Sequence, residues 1–181
     1  VLKLFLHVLY GLPFYFLIRI LSFFMIIRFQ QIMSERVGHL AANVELYLCE
    51  KKFNINTPKK FYIDIFCFGK IISNRFLAKK WKQNILIFPY FFVTPIIAWI
   101  KFFNTKKNHL IPHNTMSDRD VLNLFDKSKP SLKLSAAEID KGYEILSKLN
   151  ISRNSKFVSI IVRDEIYLKS KFPNKNFSYH K

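Results

Sequence analysis

Residues 23–52 read FFMIIRFQQIMSERVGHLAANVELYLCEKK, and this stretch decides the fold. Its first part, 23–32, is rich in Phe and Ile, which is typical of a buried strand. In 39–52 the apolar residues recur at spacings of three and four, which predicts a helix. These apolar positions are Leu40, Val44, Tyr47 and Leu48. Residues 33–38 are then expected to form the loop after the first strand, where Gly38 allows a sharp turn or a close approach of the backbone to a ligand.

The same alternation continues along the chain. Strands are predicted at 60–68, 84–88 and 156–162, and helices at 73–84, 117–128 and 135–150. Ser73, Ser117 and Ser135 are the expected helix caps, and Asp120 and Glu138 follow the last two at capping-box spacing. Alternating strands and helices predict an α/β fold with a mainly parallel sheet. Because such sheets bind ligands at the carboxyl ends of their strands, the loop 33–38 is the first candidate for a site.

The charge of the chain points to an anionic partner. The formal net charge is +17, from 29 basic and 12 acidic residues, and half of all residues are hydrophobic, which excludes a disordered chain. Residues 51–107 hold twelve Lys or Arg and one acid, Asp64. This surplus lies beside the most apolar stretches, which favours a membrane surface over nucleic acid. Cys49 and Cys67 match no metal spacing and are expected to be buried, reduced thiols of a cytosolic protein.

Two apolar segments, 4–27 and 85–103, are candidates for contact with lipid. The uncharged part of the first ends before Arg19 after fifteen residues, short of the ~20 that span a bilayer. It is either a kinked segment in one leaflet or a tilted span with Arg19 reaching the interface. The second is interrupted by Pro89 and Pro95, which favours a buried strand followed by an apolar helix, with a second span as the alternative.

The loop 33–38 carries the residue types of an anion or substrate site. His39 begins the predicted helix, whose amino end favours negative charge, and Arg36 can form a forked contact with phosphate or carboxylate. The alternative is purely structural, with Ser34 as a helix cap and the other two exposed to solvent. His109 and His113 have the spacing of metal ligands on a helix, but Pro112 between them argues against a metal site.

The stretch SERVGHLAANVELYLCE, 34–50, resembles the signature of a family of bacterial glycosyltransferases of surface polysaccharide biosynthesis. The residues that carry the resemblance are Arg36, Val37, Gly38, His39, Asn43, Glu45, Leu46, Tyr47 and Leu48. Further segments resemble the family in the same order: SNRFLAKKWKQ at 73–83, LKLSAAEIDKGYEILSKLNI at 132–151 and KFVSIIVRDEIYLKS at 156–170. In the last segment Ile161 replaces the histidine usual in the family, whereas Arg163 is retained.

The resemblance implies the N-terminal half of a GT-B-like fold, with a Rossmann-like parallel sheet flanked by helices and preceded by a hydrophobic membrane-associating helix. Both chain ends look cut, so the rest of the donor-binding half is expected beyond Lys181. The expected organisation is a membrane-associating segment at 1–22, an acceptor-side domain at 23–130, a linker helix at 131–154 and the start of the donor-binding domain at 155–181.

The implied reaction transfers a sugar from a nucleotide-sugar donor to a cell-surface glycan or a lipid-linked acceptor. His39 would be the catalytic base, Arg36 and Gly38 would bind substrate, and Arg163 would bind the donor phosphates. Asn43 and Glu45 would also bind substrate, with a structural, cap-like role as the alternative. Neither a metal cofactor nor a nucleic-acid partner is expected. The expected location is the cytoplasmic face of the bacterial inner membrane, attached peripherally or by one segment to its anionic surface. Two alternatives remain: a non-enzymatic basic membrane protein with two apolar spans, and a basic nucleic-acid-binding domain.

Overall fold

The computed structural model describes residues 7–103, 109–112, 120–156, 166–171 and 173–174. The chain divides after Lys133 into two compact units. The first holds a π-helical turn (His7–Gly11), α1 (Leu12–Leu21), β1 (Ile26–Ile32), α2 (Val37–Lys52), β2 (Tyr62–Phe68), α3 (Arg75–Trp81), β3 (Leu86–Ile87), α4 (Tyr90–Phe102) and α5 (Leu124–Lys127). The second holds α6 (Ala136–Lys148) and α7 (Ile166–Lys171). Most of the strand predicted at 156–162 lies outside the described residues.

The three strands form one parallel sheet in the order β1-β2-β3. The β1–β2 register runs from Ile26 opposite Tyr62 to Ile32 opposite Phe68, so both strands begin and end together. On the other side of β1, Leu110 forms an isolated parallel bridge with Phe29, and the Ile111 N–H donates to the Phe29 carbonyl at 3.2 Å. The predicted α/β fold with a parallel sheet flanked by helices is therefore confirmed.

One face of the sheet is covered by α2 and α3, which we call the polar layer. Their buried side chains pack against the side chains of alternate strand positions, as the two-residue period of a strand requires. This cluster consists of Ile32, Leu40, Val44, Tyr47, Phe66, Phe68, Ala78, Trp81 and Ile111. The outer side of the layer carries exposed cations, namely Lys51, Lys52, Arg75, Lys79 and Lys82.

The opposite face is covered by α1 and α4, which we call the apolar layer. Its buried cluster consists of Tyr15, Ile18, Phe29, Cys67, Val93, Ile96, Ile97 and Ile100. The two helices approach closely at Gly11, where an added Cβ would lie 2.9 Å from the Pro95 Cβ and 3.1 Å from the Trp99 Cδ1. Pro95 interrupts the hydrogen bonding of α4, and the Thr94 hydroxyl donates to the Tyr90 carbonyl at 2.9 Å one turn earlier.

A buried ionic network joins β1, β2 and the polar layer. Arg28 donates from Nε and Nη2 to the two carboxylate oxygens of Asp64, at 2.6 and 2.7 Å. The Tyr47 hydroxyl donates to Asp64 Oδ2 at 2.6 Å, and burial together with this bond raises the pKa of Tyr47 well above its usual range. Asp64, the one acid among residues 51–107, is thus the internal counter-ion of Arg28.

Several helix ends differ from their predicted positions. Ser73 was the expected cap of α3, but Asn74 occupies that place and its Oδ1 accepts from the Leu77 N–H at 2.9 Å. Helix α2 begins at Val37 rather than at His39. The helix predicted from Ser117 begins only at Leu124, after Asn123 in the left-handed conformation; residues 113–119 lie outside the described residues. The capping box of Ser135 and Glu138 at the start of α6 is confirmed.

The two cysteines are buried in the first unit, and the described parts of the two apolar segments include the helices α1 and α4. Cys49 and Cys67 are both buried and unoxidised, as predicted, and burial raises the pKa of Cys67 to about 12. The strand predicted at 84–88 is reduced to Leu86–Ile87, followed by the apolar helix α4. Among the helices of the described residues, none combines the length and the apolar character needed to cross a bilayer.

Candidate functional site

The loops after β1 and β2 meet at the carboxyl edge of the sheet. Because Ile32 is paired with Phe68, the two loops start side by side. Ser34 joins them: its hydroxyl donates to the Ile71 carbonyl at 2.6 Å and accepts from the Gly69 N–H at 2.9 Å. Its carbonyl accepts from the Ser73 N–H at 2.8 Å. Ser34 is therefore buried and holds two loops together, and the alternative role as a cap of α2 is wrong.

Gly69 is the glycine at which chain segments approach closely at this edge. An added Cβ would lie 3.2 Å from Ser34 Oγ and 3.5 Å from both Gln31 Nε2 and Glu35 Oε1. Gly38, the glycine predicted to allow a turn or a close approach, is in the first turn of α2 and does not have a positive φ. No described atom lies within 4 Å of the Cβ position of Gly38. The turn predicted at Gly38 is therefore wrong, because the chain enters the helix one residue earlier.

The amino end of α2 presents Arg36 at the same edge. Arg36 is the N-cap residue, with extended backbone (φ −121°, ψ 129°) and an exposed side chain. Within the described chain, no side chain caps this helix by a hydrogen bond. The positive end of the dipole of a 16-residue helix and the guanidinium of Arg36 therefore act in the same place, which favours an anionic group there.

His39 and Asn43 follow Arg36 on one side of α2. Their spacings of three and four residues stack them along the helix. His39 is half-buried, and its Nδ1 is shielded from solvent. Asn43 is also half-buried, and its Oδ1 is shielded and accepts no hydrogen bond from the described residues. Three of the predicted site residues thus lie on the same side of one helix.

Glu45 lies on a different side of α2 and has a structural contact. Its Oε1 accepts from the Ser131 N–H at 2.7 Å, which fastens the segment after α5 to the helix. Beside it is an apolar cavity of about 360 Å³. The cavity is lined by Ala41, Ala42, Glu45, Trp81, Phe125, Ser128, Pro130 and Leu132. The structure therefore separates Glu45 from His39, although both were predicted to serve one site.

The remaining candidates do not join this edge in the described residues. Arg163, the predicted donor-phosphate ligand, lies outside them, as does His113. His109 is fully buried, and its Nδ1 is 2.9 Å from the Ile27 carbonyl. Burial lowers the pKa of His109, and the nearby charge of Arg19 lowers it further. No three His, Cys, Asp or Glu side chains of the described chain come together as a metal site would need.

Two residues of this edge were missed by sequence reasoning, Ser34 as a clamp and Gly69 as its partner. Ser34 lies two residues after the end of β1, and Gly69 lies one residue after the end of β2, which is paired with it. This placement was the signal in the sequence. Finding it required the register between strands 36 residues apart. Comparison with protein-family models, curated proteins and solved structures finds no match to this chain.

Proposed function

We propose that this chain is the acceptor-side half of a GT-B-like glycosyltransferase with a Rossmann-like sheet. It transfers a sugar from a nucleotide-sugar donor to a cell-surface glycan or a lipid-linked acceptor. The start of the donor-binding half is assigned to 155–181. The proposal is supported by the resemblance at 34–50 together with the parallel sheet and the position of Arg36, His39 and Asn43.

The observation that carries the proposal is the location of Arg36 and His39 relative to the strand order. They start the helix that follows β1, and β1 has β2 on one side and Leu110 on the other. The chain order therefore changes direction at β1. Open α/β sheets bind their ligands at the carboxyl edge beside such a change, because the neighbouring loops diverge there and leave a crevice.

The chemistry requires a base and a cationic environment for the leaving group. The imidazole of His39 accepts the proton of the acceptor hydroxyl as that oxygen forms a bond to the anomeric carbon. The bond between the anomeric carbon and the phosphate oxygen breaks, and the nucleoside diphosphate leaves with the electron pair. The positive end of α2 with Arg36 stabilises negative charge on a phosphate, and Asn43 binds the acceptor. No step requires a metal ion.

The test of the base uses the complete protein, including the donor-binding half. His39→Gln keeps the size and hydrogen bonding of the side chain and removes its basicity, so turnover should fall by roughly 10²–10⁴-fold. Release of nucleoside diphosphate from a panel of nucleotide sugars, in the presence of membranes as acceptor, measures it. His7→Gln, before α1, is the matched control. Wild-type turnover in a folded His39→Gln variant would remove His39 from the reaction.

The second test concerns the donor. Arg163→Ala and Arg163→Lys should both weaken binding of the nucleoside diphosphate, since lysine keeps the charge but loses the planar fork. Isothermal titration measures the affinity in each variant. Arg153→Lys, an exposed arginine in the same unit, is the control. Affinity unchanged in both Arg163 variants would exclude this residue from the donor site.

The proposed location is the cytoplasmic face of the bacterial inner membrane, where anionic lipids attract a basic protein. The exposed cations of the polar layer also suit the alternative of a nucleic-acid-binding domain. Binding of a mixed-sequence oligonucleotide across a salt series distinguishes the two. Specific binding at physiological salt that weakens steeply as salt rises would favour that alternative, because phosphate contacts release counter-ions.

A further inference from the structure

Of the six large apolar side chains in the described part of the first unit that are at least 70 % exposed, all but Val121 lie where α1 ends, β2 begins and α4 ends. We call them the aromatic corner: Ile20, Phe23, Phe24, Phe61 and Phe102, each 70–78 % exposed. Single exposed apolar residues are ordinary on a protein surface, but a connected group of large ones marks an interaction site. By contrast, Leu9 and Phe91 near the other end of the apolar layer are 59 % and 62 % exposed.

Several contacts connect the parts of this corner. The Ile26 N–H donates to the Phe61 carbonyl at 2.9 Å, and the Lys60 Nζ lies 3.5 Å from the Phe23 carbonyl, so the end of α1 and the start of β2 are adjacent. Phe103, next to Phe102, stacks on Tyr15 of α1 at 4.8 Å between ring centroids. Helix α4 starts three residues after the carboxyl end of β3 and packs along the sheet for 13 residues, so its end lies towards the amino side.

Cations surround the corner, and carboxylates are missing from its sequence. Arg19, Lys59, Lys60 and Lys101 are all exposed. The segments 7–33, 51–63 and 85–103, which supply the corner and its surroundings, contain no Asp or Glu. Exposed aromatic rings beside cations match the interface of a bilayer with anionic head groups, where rings enter the boundary region and Lys or Arg contact phosphate.

We infer that the aromatic corner is a preformed docking site for an anionic membrane surface. It is preformed because the opposite side of α1 is fixed in the core, with Tyr15 and Ile18 only 5 % and 2 % exposed. Docking therefore requires no unfolding of α1. Deleting residues 1–22 would be a poor test, because it removes these two core side chains along with the exposed ones.

The docking site gives the proposed contact with the membrane a location on the molecule. One consequence, which rests on the proposed function, concerns the acceptor. The corner lies at the amino edge of the sheet, and Arg36 and His39 lie at the carboxyl edge. The seven residues of β1, at ~3.3 Å each, separate the edges by about 20 Å. With the strands along the bilayer normal, an acceptor anchored in the same membrane would have to present its hydroxyl about 20 Å above the lipid.

The experiment measures co-sedimentation of the full chain with vesicles of phosphatidylcholine alone and of equimolar phosphatidylcholine and phosphatidylglycerol. Phe23→Ser and Phe102→Ser should each weaken binding to the mixed vesicles by about tenfold, as expected for loss of one interfacial aromatic side chain. Lys101→Gln should weaken it by about fivefold. The matched controls in the polar layer are Phe76→Ser, at a ring 48 % exposed, and Lys79→Gln, and both should bind as wild type.

A spectroscopic readout locates the contact. Trp99 lies 5.5 Å from Phe102 between ring centroids, whereas Trp81 is 1 % exposed in the polar layer. Brominated lipid should quench the fluorescence of the wild type, and the Trp99→Phe variant should lose that quenching. No sugar donor is present in these assays, so failure of glycosyl transfer leaves the result unchanged.

Three outcomes overturn the inference. The first is absence of binding to the mixed vesicles at low salt. The second is equal loss of binding in Phe102→Ser and in the Phe76→Ser control, which would show that binding is not specific to the aromatic corner. The third is a wild-type oligomer that dissociates in Phe23→Ser without any vesicle binding, which would make the corner a contact between copies of the chain.

Discussion

The two helical layers of the first unit bury similar interiors and present different exteriors. The polar layer, α2 and α3, covers its side of the sheet with an apolar cluster and exposes lysines and Arg75. The apolar layer, α1 and α4, has an equally apolar interior. Its outer side, however, exposes Phe and Ile side chains with isolated cations among them. The inner sides of both layers are apolar because both form part of the core. The outer sides differ in polarity, which indicates that they face different surroundings.

The layers also differ in what fixes them to the sheet. The polar layer is attached through the charged network of Arg28, Asp64 and Tyr47 as well as by packing. The apolar layer is attached to the sheet by side-chain packing, and its own two helices approach each other closely at Gly11. Substitutions at these points should therefore act on one layer at a time.

The largest effect is expected for Asp64→Ala. It leaves Arg28 buried without its carboxylate, so the free energy of unfolding should fall by about 3–5 kcal/mol. Urea unfolding followed by tryptophan fluorescence measures the change. Asp126→Ala, at an exposed carboxylate of the same unit, should change the free energy of unfolding by less than about 0.5 kcal/mol. Equal effects of the two variants would show that the network does not hold the polar layer.

A pair of glycine variants compares the layers directly. Gly11→Ala should destabilise the protein by about 1–3 kcal/mol, because the added Cβ meets Pro95 and Trp99 and must push α1 from α4. Gly38→Ala adds a Cβ to the first turn of α2 in open space, and should stabilise the fold by up to about 1 kcal/mol. Thermal unfolding of both variants shows whether each melting temperature falls or rises relative to the wild type. A stabilising Gly11→Ala would contradict the close contact within the apolar layer.

A smaller effect is expected at the start of α3. Asn74→Ala removes the side chain that accepts from the Leu77 N–H, and should lower the free energy of unfolding by about 1 kcal/mol. Ser73→Ala is the matched control, because Ser73 contributes its backbone N–H to the Ser34 carbonyl and that bond survives the change. Chemical denaturation distinguishes them. A larger loss of stability in Ser73→Ala than in Asn74→Ala would show that Ser73 is the cap of α3.

The smallest effect at neutral pH concerns His109, which is buried beside β1. Its pKa in the folded state is lowered by burial and by Arg19, so the unfolded chain binds the proton first as pH falls. Stability contributed by the neutral imidazole is present above the ordinary pKa of about 6.5 and is lost as pH drops below it. His109→Gln should flatten the dependence of the melting temperature on pH between 5 and 7, and His7→Gln should leave it as in wild type. An unchanged slope in His109→Gln would assign the acid sensitivity to other groups.

Much of the fold was predictable because it depends on local pattern. The strands at 23–32 and 60–68, the helix at 39–52 and the cap of α6 at Ser135 all follow from residues within a few positions of one another. The candidate site was predictable in part. The loop after β1 was predicted at 33–38 but ends at Arg36, because α2 begins at Val37. The roles of Ser34 and Gly69 and the separation of Glu45 were not predicted, since they depend on segments that meet only in the folded chain.

By itself, the sequence determined that this protein is an α/β fold with a parallel sheet, buried cysteines, a large basic surplus and two apolar segments next to it. These features follow from composition and from periods of two and about 3.6 residues, which act over one or two turns. Only the tertiary structure decided that Arg28 pairs with Asp64, that Asn74 caps α3, and that α1 buries Tyr15 and exposes Ile20. Each of these depends on the strand register or on which neighbour a surface meets, and a contact between residues 36 positions apart, as in the Arg28–Asp64 pair, has no signature in the local pattern.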